Sequence, residues 1–144
     1  MGIDRRSNVT LSKFLSPALK EAITQSVAEA TARADGDLKN GSPVDTGRFR
    51  ASWFHAQAAG GVPDRSDSLP PAGKGQSYPE PPPLDPKQLD GTKSQLIINN
   101  LPYATRLCEE GWSDKVPEDW FKRIGHKWET GGYLDESFER FKPK

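Results

Sequence analysis

The side chains of this 144-residue chain best suited to ligating a metal or attacking an electrophile are two histidines, His55 and His126, and a single cysteine, Cys108. A zinc site takes about four N or S donors at close spacing, and these three lie far apart with no ligand spacing between them. Cys108 could act as a nucleophile only with a histidine packed beside it. Its neighbours Glu109 and Glu110 raise its pKa and blunt it, so a structural cysteine is expected. Adjacent helical residues diverge by about 100°, which keeps those two carboxylates from sharing one substrate as an acid–base pair. Gly73-Lys74-Gly75-Gln76-Ser77 lacks both the spacing of a phosphate loop and a strand before it. Trp53, Trp112, Trp120 and Trp128 could stack on bases, but helical spacing sends two of them into a core stripe. The expectation is a chain with no catalytic residue, no cofactor and no metal, and not an enzyme.

Composition points the same way. Twenty basic and twenty acidic residues cancel, and they are interleaved, which disfavours wholesale binding to a phosphate backbone. One cysteine allows no internal disulfide and fits a reducing compartment. No apolar run approaches the ~20 residues of a membrane span. The N-terminus, with Asp4, Arg5 and Arg6, does not read as a signal peptide. A soluble protein made in a cytoplasm is expected.

The elements that position these residues form one domain, residues 1–144, of class α+β. Leu11 to Ala34 has amphipathic helical spacing through Leu15, Ala18, Leu19, Ala22, Ile23, Val27, Ala30 and Ala34. Ser16-Pro17 offers a cap and an N1 proline, while Gly36 and Asn40-Gly41 offer a stop. Asp45 is expected to cap a short turn through Ala51, and a strand follows over Ser52–Ala58. A second strand runs from about Thr92 to Asn99. Pro102 and Gly111 bracket a short helix with Tyr103, Ala104 and Leu107 inward. Trp120, Phe121, Ile124 and Trp128 mark the next helix after Pro117, and Leu134, Phe138 and Phe141 continue its stripe beyond Gly131-Gly132. The long N-terminal helix and the C-terminal helix are thus expected to pack on a small antiparallel sheet. Two strands alone are marginal, which predicts either further strands or completion by another chain.

Between the strands, residues 60–91 hold Pro63, Pro70, Pro71, Pro79, Pro81, Pro82, Pro83 and Pro86. This composition predicts an extended, polyproline-like excursion, held down by a neighbouring subunit. Pro79 to Pro83 could also dock an aromatic groove, which supports an alternative function as a cytoplasmic adaptor. A small hydrolase using Cys108 with His55 or His126 is a third reading.

Two stretches remain. Ser42-Pro43-Val44-Asp45-Thr46-Gly47-Arg48-Phe49-Arg50-Ala51-Ser52-Trp53 follows the long helix. Asn99-Asn100-Leu101-Pro102-Tyr103-Ala104, with Leu107, Glu109 and Gly111-Trp112-Ser113, follows the second strand, and Pro117 trails it. In this order and behind a helix, they resemble the neck, head–tail joining and tail-completion proteins of tailed bacteriophages (the minor tail protein Z-like family). Glu118-Asp119-Trp120-Phe121 departs from the small-residue continuation common in that family.

The resemblance implies a structural virion protein with a ring, expected to be a hexamer, around the DNA channel between head connector and tail tube. Its partners would be copies of itself, the connector or adaptor, and the tail terminator or tube. DNA would pass through without specific binding and no membrane would be involved. Localisation would be the virion neck or tail, after assembly in the host cytoplasm. The residues assigned to turn geometry or subunit contacts are Pro43, Asp45, Thr46, Gly47, Arg48, Arg50, Trp53, Asn100, Pro102, Tyr103, Glu109 and Gly111. Pro81, Pro82 and Pro83 join them from the insert.

Overall fold

The structure, a computed structural model, describes residues 16–45, 47–58, 70–71 and 73–144. Helix α1 spans Pro17–Gly41. Ser16 caps it, its hydroxyl accepting from the Leu19 amide at 3.1 Å, with Pro17 at the first position. Gly36 does not end it; the helix continues for another turn to Gly41. The expected start at Leu11 lies outside the described residues.

The remaining elements are α2 (Arg48–Ala51), β1 (Phe54–Ala58), a 3-10 turn (Pro86–Gln88), β2 (Ser94–Ile98), α3 (Ala104–Cys108), α4 (Trp120–Glu129) and α5 (Gly132–Phe141). The class is α+β, as the sequence implies. Among the described residues the sheet has two antiparallel strands, with Phe54 opposite Ile98 and Ala58 opposite Ser94.

α1 runs antiparallel to α5, because partners rise along one helix as they fall along the other. Arg140 pairs with Glu29, Arg33 with Glu136 at 2.5 Å, and Tyr133 donates to Asp37 at 2.6 Å. Small buried residues allow close approach: Ala22, Ser26, Ala30 and Ala34 on α1, and Ser137 on α5. Buried hydroxyls return their hydrogen bonds to their own helix, Ser26 to the Ala22 carbonyl and Ser137 to the Tyr133 carbonyl.

The buried stripe of α5 is shifted by one residue from the sequence expectation. Tyr133 and Ser137 face inward, while Leu134 is 40 % exposed. Gly131, with φ of 80°, turns the chain sharply between α4 and α5 and sets this phase. The Tyr133 hydroxyl then reaches Asp37, which allows it to enter the core. Trp128, expected inward, lies at the rim with 41 % exposure, and Ile23 on α1 is also exposed.

The main core is aromatic. Phe49 meets Trp53 and Trp120 edge-on at 5.6 and 6.2 Å, and Trp53 stacks on Phe121 at 6.4 Å. Leu38, Leu101 and Cys108 complete it, with Ile97 of the sheet packed against its side.

Candidate functional site

The two stretches are far apart in sequence and adjacent in space. The first is locked to the end of α1: Ser42 Oγ donates to the Leu38 carbonyl at 2.5 Å and accepts from Trp53 Nε1 at 2.8 Å. Ser42 and Pro43 are buried, and so is Trp53. The second stretch is tied to the first by Asn99, whose Nδ2 donates to the Phe49 carbonyl at 2.9 Å while Oδ1 accepts from the Leu101 amide. α4 closes the unit, Trp120 Nε1 donating to the Leu107 carbonyl at 3.0 Å.

Together they line an open groove formed by Pro43, Val44, Gly47, Tyr103, Arg106 and Trp112. Arg48 lies over the Tyr103 ring at 5.7 Å, and Arg106 over Trp112 at 4.3 Å. Lys115 donates to the Val44 carbonyl at 2.8 Å. Trp112 is 62 % exposed. Arg48, Arg106 and Lys115 line this groove against a single carboxylate, Asp45.

Asp45 is not the expected cap. α2 starts at Arg48, so its cap position falls on Gly47, which has φ of 86° and no side-chain bond. Asp45 lies outside the helix, almost fully exposed, 3.9 Å from Lys115 Nζ. Thr46 lies outside the described residues. Gly47 serves twice over, because a Cβ there would stand 2.9 Å from the Tyr78 carbonyl oxygen of the insert. Left-handed φ and close backbone approach both select glycine.

Arg50 also turns to the insert, pairing with Glu80 at 2.5 Å and donating to the Asn40 carbonyl. Lys39 donates to the Pro82 carbonyl at 3.2 Å and pairs with buried Asp35 at 2.7 Å. Further along, Gly91 lies so close to α1 that a Cβ would fall 1.9 Å from the Thr24 carbonyl oxygen. The described part of the insert, with Pro81, Pro82 and Pro83, is therefore strapped to its own chain. Where a neighbouring subunit was expected to hold the insert, its described part has intramolecular anchors of its own.

On the other side of α3 lies a second, apolar crevice of about 540 Å³. Leu38, Trp53, Ile97, Phe121, Ile124 and Trp128 form its walls, and Glu109 and Glu129 are its charged lining residues. Cys108 is at its base, and burial followed by the charge of Glu109 pushes its thiol up to about 12. Such a thiol is protonated and unreactive at neutral pH. His55 bonds across the sheet to Gln95 Oε1 at 2.8 Å, and His126 is exposed. Among the described residues no group of three or more His, Cys, Asp or Glu could hold a metal ion. No helix there is long and apolar enough to cross a membrane.

Of the other residues named from sequence, Pro102 and Asn100 are exposed, and Asn100 makes a contact of its own. Glu109 is exposed, and Gly111 turns the chain after α3 with φ of 65°. Sequence reasoning missed Ser42 and Asn99 as the ties, and Arg106 and Trp112 as the exposed pair. Asn99 and Asn100 offer identical chemistry; only the end of β2 at Ile98 decides which one turns inward.

Compared with known proteins, the chain matches no protein-family model, no curated protein sequence and no solved structure.

Proposed function

We propose that this protein is a structural component of a tailed-phage neck or tail, of the head–tail joining and tail-completion type. In this role it forms a ring around the DNA channel between head connector and tail tube. The supporting observation is the convergence of the two stretches into one braced unit, tied by the Asn99–Phe49 hydrogen bond and opening on a shared groove. Residues that act as caps, ties and close backbone contacts fix geometry, which is what an annular joint between two large assemblies requires. Zero net charge suits a lumen through which DNA slides without sticking. The adaptor reading loses ground because Arg50 and Lys39 bind the proline-rich segment to its own chain.

Removing the protein from the phage that encodes it is expected to leave filled heads and finished tails unjoined. Gold-labelled antibody is expected at the head–tail junction. Infectious virions of normal form lacking the protein would overturn the reading.

A further inference from the structure

Helix α3 separates two surfaces of opposite character. At about 100° per residue, Tyr103, Arg106 and Leu107 lie on one side, and these line the cationic groove. Ala104, Thr105, Cys108 and Glu109 lie on the opposite side and line the apolar crevice. The groove has Arg48, Arg106 and Lys115 against Asp45. Among the described residues, the charged ones lining the crevice are Glu109 and Glu129. Beyond them, a shallower hollow adds Glu110, with Lys122 and His126. Each surface also presents an exposed tryptophan, Trp112 beside the groove and Trp128 at the crevice rim. Arg106 stacks on Trp112 at 4.3 Å, which makes the pair one amphipathic knob on the surface.

We propose that the crevice between α1, β2, α3 and α4 receives the Trp112–Arg106 knob of a second copy of this chain. The indole fills the apolar interior, and Arg106 and Lys115 meet Glu109 and Glu129 across the rim. Charge complementarity names the occupant, because the surface that fits the acidic crevice is the chain's own cationic groove. Tryptophan and arginine are also the residue types that anchor interfaces most often. Since donor and acceptor surfaces lie on opposite sides of α3, the contact is head-to-tail. Repeated, it propagates to a ring or a filament and does not close as a two-fold dimer. The contact rests on the ring reading given above and can be tested apart from it.

Two reversed chains provide the test, followed by sedimentation at increasing protein concentration. One variant bears R106E and K115E; the other bears E109K and E129K. All four positions are solvent-facing, and a thermal unfolding scan checks that each variant remains folded. Each variant alone sets like charges against each other, and its self-association is expected to fall at least about tenfold. Mixed in equal amounts, the two present only opposite charges to one another, and association is expected to return. W112A is expected to weaken assembly of the otherwise unaltered chain by about thirtyfold, the size of a hot-spot loss. Added salt should weaken assembly as well.

A parent chain that stays monomeric to millimolar concentration overturns the contact. So does assembly that ignores the reversals, or loss that the mixture fails to restore. Binding of a peptide of residues 1–15 to a chain that does not self-associate would also overturn it, assigning the crevice to the chain's own N-terminal segment. These results leave the virion reading to the head–tail joining phenotype, so either can fail without the other.

Discussion

Single atoms decide two of the residue-level assignments. At Gly47, a side chain would face both a left-handed backbone and the Tyr78 carbonyl 2.9 Å away. Gly47→Ala is expected to destabilise the fold by about 1–2 kcal/mol, read as a shift in urea midpoint with unchanged slope. Cys108 is a buried thiol held protonated, with a native pKa of about 12 against an ordinary 9.0. The native state therefore binds this proton more tightly than the unfolded chain. The associated stability is complete below about pH 9 and is lost as pH rises towards 12. Urea unfolding of parent and Cys108→Ala should diverge in that window, the variant showing the flatter decline. Taking the difference removes the parallel contribution of Tyr133, whose hydroxyl is also raised by burial and by its bond to Asp37. Equal slopes would mean that the thiol titrates alike in both states.

At the scale of elements, local signals were legible and phases were not. Ser16-Pro17 caps α1 as read, because an N-cap and an N1 proline act within one turn of chain. Both strands lie within their expected ranges for a similar reason, bounded by their flanking turn residues. By contrast, hydropathy favours Leu134 over Tyr133, yet Gly131 rotates α5 and Asp37 satisfies the tyrosine hydroxyl. The Lys39–Asp35 pair was equally invisible, since two charges one helical turn apart usually read as a solvated face. Here both are buried, and Lys39 spans from Asp35 to the Pro82 carbonyl of the proline-rich strap. Among the described residues, no donor other than this ammonium meets the Asp35 carboxylate. Lys39→Ala leaves that carboxylate buried and unpaired, a loss of about 3–5 kcal/mol. Removing both charges in Asp35→Ala/Lys39→Ala should cost less than the sum of the two single changes. Additivity in that cycle would mean the pair is not coupled.

For the molecule as a whole, the strap means that α1 is wrapped as well as packed. α5 lies along it on one side, and the insert meets it from Pro82 to Gly91. This arrangement bears on how the chain folds. β1 and β2 are neighbours in the sheet but are separated by residues 59–93, and closing a loop of about 35 residues costs roughly 3 kcal/mol in chain entropy. A two-residue hairpin turn can close early; this pair cannot until something shortens the detour. α1 supplies that shortcut, since Thr24, Lys39 and Asn40 with Arg50 pin the returning chain along its length. This predicts an order of events with the helix first and the sheet last. Gly91→Ala, whose Cβ would collide with the Thr24 carbonyl, is expected to cost about 3 kcal/mol. It should slow the final refolding phase, seen by tryptophan fluorescence, while leaving the early helical circular dichroism intact. In that order of events, α1 is the template on which the two-stranded sheet is assembled.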